Sequence, residues 1–297
     1  MYHYVRDRFD PPLNRIHGLD RQAFIRQVDW LLERFEPAVD PGGSIDRPGV
    51  LFTFDDGLSD HVEVAAPLLE ERGVRGIFLI GARPFVQRRM TPAHMVHLLT
   101  CHLSQGRLIR AADEWLNRHA PAGRWRERLD VAAAWAMYHY EEPELAEFKY
   151  LVNVFLPVEL RDRMLDELFT EYVGPMEPWL ARWYGRIDQW RDLQARGHVI
   201  GGHGFTHEPL TRLTPGNAIR DLRLCAGFLR EHFGERPRPF SYPFGAWNAE
   251  LAAACREAGF ACAYTTRPGW NSRHTPSFEL RRVDTIAVDR FLLGGRP

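Results

Sequence analysis

Gly49-Val50-Leu51-Phe52-Thr53-Phe54-Asp55-Asp56-Gly57 is the stretch that decides the fold class of this chain. Gly49 to Phe54 is short, almost wholly apolar and rich in β-branched and aromatic side chains, as in a strand buried on both faces of a parallel sheet. Two carboxylates follow at once. Adjacent carboxylates at the end of a buried strand are costly unless paired, hydrogen-bonded or metal-bound. On parallel α/β scaffolds the carboxyl ends of strands are also where active sites collect. The turn equally fits a structural role in which one aspartate caps the following helix.

Working outward, Val62 to Arg72 reads as a helix stopped by Gly73, and Gly76 to Gly81 (GIFLIG) as the next buried strand. Upstream, Tyr2 to Val5 reads as a short strand. Asp20 is an N-cap for a helix with Phe24, Val28, Leu31, Leu32 and Phe35 at helical spacing. From about 85 to 185 the alternation breaks into mostly helical patterns, at Met95 to Leu99, Trp125 to Tyr138 and Leu160 to Phe169. We expect a helical insertion (85–185) within one domain spanning 1–297. Alternation then resumes with a helix at Ile187–Arg196, a strand at His198–Gly201 and a long helix at Pro215–Phe233, Pro215 at its start. A strand at Pro239–Tyr242, a helix at Ala249–Ala258, a strand at Phe260–Tyr264 and a last strand or pair over Glu279–Val288 complete the pattern. About seven strands, most followed by a helix, predict an α/β protein with a parallel barrel or open sheet.

Composition removes several function classes. The chain has 297 residues, 38 basic and 39 acidic, for a formal net charge of -1, which argues against broad electrostatic binding to nucleic acid. Lys149 is its only lysine and follows Phe148, so there is no GKS or GKT phosphate loop. No GxSxG elbow is present, and Cys101, Cys225, Cys255 and Cys262 form no CxxC pair, so reduced, packed thiols are expected. No apolar run reaches the ~20 residues of a transmembrane helix. The opening MYHYVRDRFD lacks the apolar core of a secretory signal, which leads us to expect a cytoplasmic protein.

A second segment carries chemistry: Gly201-Gly202-His203-Gly204-Phe205-Thr206-His207. Histidines at i and i+4 face one side of a helical turn and suit two imidazoles on one metal. The surrounding glycines would let backbone approach a ligand closely. Two surface histidines in a Gly-rich loop is the plainer alternative, but a strand-end Asp-Asp beside them strengthens the metal reading.

With TFDDG at 53–57, HGFTH at 203–207 and FSYPFGAWN at 240–248, the chain resembles the NodB-type polysaccharide deacetylases of carbohydrate esterase family 4. The resemblance covers roughly residues 1–85 and 186–290. It implies a distorted (β/α)7 barrel with the large helical stretch as an insertion. It implies that Asp56, His203 and His207 bind one divalent metal ion, zinc in most relatives, and that Asp55 is the general base. A two-histidine, one-carboxylate set leaves a position open for water and a substrate carbonyl. Such a metal lowers the pKa of water and stabilises a developing oxyanion, and a free carboxylate beside it can accept the proton. A backbone N–H at Phe244, in the Pro-aromatic-Gly turn, would help hold the oxyanion.

Departures from the family pattern are equally specific. Gly204 stands where the second motif usually has Ser or Thr, and Ser241 where the third usually has Arg. Arg238 is a candidate substitute, with a surface role as the alternative. The late Leu-x-His that would supply a general acid is replaced by Leu280-Arg281-Arg282-Val283-Asp284, which leaves His274 and His3 as weak candidates for the proton donor. Asp60 and His61 read as helix N-terminal residues, and His94 and His97 as a polar helix face. Trp115, Trp125, Trp135, Trp179, Trp183 and Trp190 lie in or beside the helical stretch, where core packing or a dimer interface explains them better than sugar stacking.

The function expected from the resemblance is metal-dependent hydrolysis of an N-acyl group, N-acetyl or N-formyl, on an amino sugar. Without a secretory signal, an intracellular saccharide or glycoconjugate precursor is the expected substrate. Two alternatives stay open: a non-catalytic binding protein on the same barrel, and a hydrolase of a non-sugar amide. The oligomeric state is not legible in the sequence.

Overall fold

The computed structural model describes residues 1–38, 48–120, 124–139, 141–236 and 238–292. Its centre is a five-stranded, all-parallel sheet: β1 (Phe52–Asp55), β2 (Gly76–Ile80), β3 (Val199–Gly202), β4 (Pro239–Ser241) and β5 (Cys262–Tyr264). Strand order follows chain order. Asp55 pairs with Leu79, Ile80 with Gly202, Gly202 with Phe240 and Ser241 with Tyr264, so the carboxyl ends line up along one edge. Single parallel bridges extend the sheet at both sides, Tyr2 to Phe54 and Tyr264 to Leu280. The fold is α/β, as expected, but only five of the seven expected strands form ladders in the central sheet, and Val5–Arg6 pairs separately with Leu19–Asp20.

Local sequence explains most of the boundaries. The Asp20 side chain accepts from the Ala23 N–H and opens the helix Arg21–Leu32. Thr214 does the same for Asn217 at the head of Pro215–Phe233. Gly73 leaves its helix at φ +68°, the left-handed stop that glycine adopts without a Cβ penalty. Phe52, Phe54, Phe78, Ile80 and Ile200 on one face of the sheet and Thr53, Ile77 and Leu79 on the other are all buried, as in strands covered on both faces.

Three expectations need correction. Gly49–Phe54 is not one strand: Gly49–Val50 pairs with Glu36–Pro37, and the sheet strand begins at Phe52. The helix expected from Val62 opens with a π-helical turn, His61–Ala65, before Ala66–Glu70. No strand runs through Glu279–Val288. Leu280 makes one bridge, and Thr285–Leu292 is a helix whose first turn is held by the Asp284 carboxylate accepting from the Ile286 N–H at 3.0 Å. Such a local side-chain bond favours a helix start over continued pairing with the sheet.

The chain divides into two compact units. One comprises Met1–Arg8, His17–Arg89 and the chain from Leu180 onward, and holds the sheet. The other comprises Phe9–Ile16 and Met90–Trp179 and is helical, built on Pro92–His102, Gln105–His119, Pro143–Tyr150 and Val158–Tyr172. Trp115 is buried in this second unit, its indole donating to Glu167 at 2.7 Å, while Trp135 is half exposed. Trp183 and Trp190 are buried within the first unit. All four cysteines are free and buried. Among the described residues no helix is long and apolar enough to cross a membrane.

Candidate metal centre

β1 delivers Asp55 into the interior at 2% exposure, and the chain then turns sharply. Asp56 adopts φ +83° and Gly57 φ +70°. At Gly57 a Cβ would meet the Ile80 side chain at 3.1 Å, so the turn needs glycine for space as well as for backbone. Among the described residues five non-glycines have positive φ, and three of them are Asp56, His207 and Phe244. Such backbone persists only where the surroundings over-determine it, and it clusters at functional sites.

β3 ends in His203. A Cβ on Gly201 would lie 2.4 Å from the Pro239 carbonyl oxygen, and one on Gly202 would lie 2.9 Å from Cys225 Sγ. These two glycines therefore let β3 approach its protein neighbours, not a ligand. The 203–207 segment is not helical: Gly204 (φ +76°) and His207 (φ +62°) bend it. The two imidazoles still converge, with ring centroids 4.8 Å apart, because Asp221 on Pro215–Phe233 pins the bend. Its carboxylate accepts from Phe205 N–H (2.7 Å), Thr206 N–H (2.9 Å) and Thr206 Oγ1 (2.5 Å).

Asp56, His203 and His207, all buried, bring one ligand atom each to within 4.8 Å of one another. His207 Nε2 lies 2.9 Å from Asp56 Oδ1, and His203 Nε2 lies 3.4 Å from the same oxygen. His203 Nδ1 donates to the Ser241 carbonyl at 2.9 Å, which fixes the tautomer and leaves Nε2 as the ligand atom. This donor set fits a small divalent cation of the zinc type. Electrostatics agree. Burial alone would lower the His203 pKa, but Asp55 and Asp56 raise it above the ordinary histidine value. The site thus holds positive charge strongly, and a cation on the same atoms would displace that proton.

Asp55 has its own cation. Arg282 meets it in a two-pronged pair, Nη1 to Oδ1 and Nη2 to Oδ2, each at 2.7 Å. Arg282 Nη2 also donates to Ser241 Oγ at 2.8 Å, and Ser241 Oγ in turn donates to Asp55 Oδ2 at 3.1 Å. Burial would push the Asp55 pKa up, but the Arg282 charge, then His203, overcome it and hold the carboxyl well below the usual range. Sequence reasoning missed Arg282. The clue was Ser241, standing where a cation was expected. Arg238 is not the substitute, because its guanidinium donates to the Ile200 carbonyl at 2.9 Å.

Other candidates scatter. Phe244 stands at the turn beside the histidines, half exposed, its ring centroid 5.5 Å from that of His207. His274 is exposed in the loop after β5 and lines a separate cavity. His3 is half-buried, and its carbonyl lies 2.7 Å from His61 Nε2. Asp60 does not cap a helix with its side chain but pairs with Arg6 at 2.6 Å. His94 is buried in the helical unit, not on a polar face.

Comparisons with known proteins bear on the family and the fold. Residues 175–263 match the polysaccharide deacetylase family, a span that includes HGFTH and FSYPFGAWN. The Bacillus subtilis (strain 168) protein YxkH, named as a polysaccharide deacetylase, is 28% identical over 96 residues, 32% of this chain and 34% of that protein. The match therefore spans about a third of that relative's length. The fold is similar to the Streptococcus pyogenes deacetylase PplD in complex with acetate (TM-score 0.57, 11% identity, 100% of this chain and 97% of that one). It is also similar to IcaB from Ammonifex degensii (TM-score 0.55, 16% identity, 98% and 96%). Residues 175–263 are thus similar to the polysaccharide deacetylase family, as the motifs in that span indicate, and the solved structures show a similar fold.

Proposed function

We propose that this protein is a metal-dependent hydrolase that removes an N-acyl group, N-acetyl in the first instance, from an amino sugar. The observation that carries the reading is the convergence of Asp56, His203 and His207 beside a carboxylate, Asp55, held ionised by Arg282. A divalent ion there, zinc by donor type, supplies Lewis acidity toward the acyl carbonyl and the attacking water. Asp55 accepts the proton of that water, and Arg282 and Ser241 fix its carboxylate for the task. The Phe244 N–H, in its left-handed turn, is the donor assigned to the oxyanion. Of the two candidate proton donors His3 is better placed, since it follows Tyr2, whose carbonyl accepts from the Asp55 N–H at 3.0 Å. With the Tyr2 and Leu280 bridges flanking five strands, we read the sheet as a distorted (β/α)7 barrel in one domain, the 85–185 helices being an insertion. The substrate we favour is an intracellular saccharide or glycoconjugate precursor, handled in the cytoplasm.

The test is metal content by elemental analysis, followed by hydrolysis of N-acetylated amino sugars. Wild type should hold about one zinc or similar ion per chain, lost in His203→Ala. Asp55→Asn should keep the metal and lose activity, and His3→Gln should lose roughly 100-fold or more in kcat if it donates the proton. No specifically bound metal after loading with zinc, cobalt and nickel would overturn the hydrolase reading in favour of a non-catalytic binder.

A further inference from the structure

A cavity of about 220 Å³ opens in the loop that leaves β5 and returns to Leu280. Arg267, Arg281 and His274 line it together with the hydroxyl-bearing Ser272 and Thr275 and one carboxylate, Glu279. Arg273 adds a third guanidinium at its margin, Nε lying 3.4 Å from His274 Nε2. Among the described residues none of these three arginines forms an ion pair. Elsewhere in this chain many arginines do find carboxylates, Arg6, Arg21, Arg72 and Arg196 among them. An excess of two positive charges around one hollow, with a single carboxylate, is an arrangement that favours an anion.

The cavity walls are fixed by the chain itself. Asn271 clamps the Arg281 backbone with two hydrogen bonds of 2.8 Å, one to its carbonyl and one from its N–H. Ser272 N–H donates to Thr275 Oγ1 at 3.0 Å, and His274 N–H to Ser272 Oγ at 3.2 Å. The Arg267 guanidinium lies 4.6 Å from the Trp247 ring, which limits its rotamers. Less ordering entropy is therefore lost when a ligand arrives.

We propose that this cavity binds a phosphoryl group. Planar guanidinium forks match phosphate oxygens in a two-pronged manner, and the Ser272 and Thr275 hydroxyls supply further polar contacts. The wall is continuous with the metal centre's surroundings: Arg282, which holds Asp55, follows Arg281 and donates its N–H to the Arg267 carbonyl at 3.0 Å. The phosphoryl group is either part of the amino-sugar substrate or a separate anion. The first option rests on the hydrolase reading above; the existence of the site does not.

The test is calorimetric titration of the full chain with inorganic phosphate at constant ionic strength. The variants are R267Q/R281Q and, as a control for general charge, R256Q, an exposed arginine outside the cavity. Binding that falls at least tenfold in the double variant and is retained in R256Q supports the site. No binding to wild type, or equal loss in R256Q, overturns it, and circular dichroism checks that the variants are folded. Hydrolysis of N-acetylglucosamine and its 1-phosphate then separates the sources. A lower KM for the phosphate, with the gap closed in R267Q/R281Q, assigns the site to the substrate; no gap with phosphate still bound assigns it to a separate anion. If neither sugar is hydrolysed the hydrolase reading fails, and the titration still decides the cavity.

Discussion

Replacing Arg282 with methionine deletes the cation of a pair whose members are 6% and 2% exposed, while keeping most of the side-chain volume. Wild-type Asp55 receives two 2.7 Å hydrogen bonds from the guanidinium and one of 3.1 Å from Ser241 Oγ. In the variant only the last remains, and the buried carboxylate has lost the charge that keeps it ionised. Breaking a buried pair by removing one partner costs about 3–5 kcal/mol, most of it the penalty of the stranded charge. Urea unfolding of metal-free protein, where bound ions add nothing to stability, should show a loss of that size. Asp55→Asn combined with Arg282→Met removes both charges, so the double variant should be destabilised by at least ~1 kcal/mol less than the sum of the singles. A single-variant loss below about 1 kcal/mol, or an additive cycle, would refute the view that Arg282 is the counter-charge of Asp55.

Two further outcomes follow from the same interior. Asp221→Ala strands two backbone N–H groups and the Thr206 hydroxyl, which should cost roughly 2–4 kcal/mol. By loosening the loop that carries His207 it should also weaken zinc affinity about 10–100-fold in a chelator competition, although no ligand is changed; unchanged affinity would mean that Asp221 does not position the site. His61 is held neutral by burial, its pKa lowered to about 4 despite the opposing His3 carbonyl and Asp56. Between pH 6.5 and about 4 the unfolded chain therefore binds the proton that the folded chain refuses, so this stability is present above pH 6.5 and is lost as pH falls. The full span corresponds to roughly 3 kcal/mol. Urea midpoints measured between pH 7 and 4.5 should fall less steeply in His61→Phe than in wild type, and parallel pH profiles would count against it.

What could be read from the sequence, and what could not, divides by the range of the interaction. Asp20 and Pro215 announce their helices because an N-cap or a first-turn proline acts locally. β1 and β2 are legible from their own composition, and Asp55-Asp56 draws attention because two carboxylates at a strand end are an unusual local cost. His203 and His207 do come together, but not through the helical turn that their spacing suggests. Their convergence depends on Asp221, 14 residues beyond His207 on another element, which no spacing rule would supply. Glu279–Val288 differs from the expected strand because only Leu280 bridges the sheet, and beyond Asp284, whose carboxylate accepts from the Ile286 N–H, the chain is helical.

Arg282 is the instructive omission. It lies 227 residues from Asp55 in the chain, and nothing in either segment alone points to the other. The pairing nevertheless has a sequence-level shadow. A carboxylate that stays charged in the interior needs a cation, the usual position for one holds Ser241, and Arg238 points elsewhere. The short extended stretch at the Leu280 bridge does the rest: Leu280 and Arg282 are buried and Arg281 is exposed, and the Arg282 guanidinium reaches both Ser241 Oγ and Asp55. The requirement belongs to a place beside Asp55, not to a motif. A chain can therefore depart from a motif at Ser241 and still keep the base ionised, with Ser241 Oγ reduced to a bridge between the acid and its relocated partner.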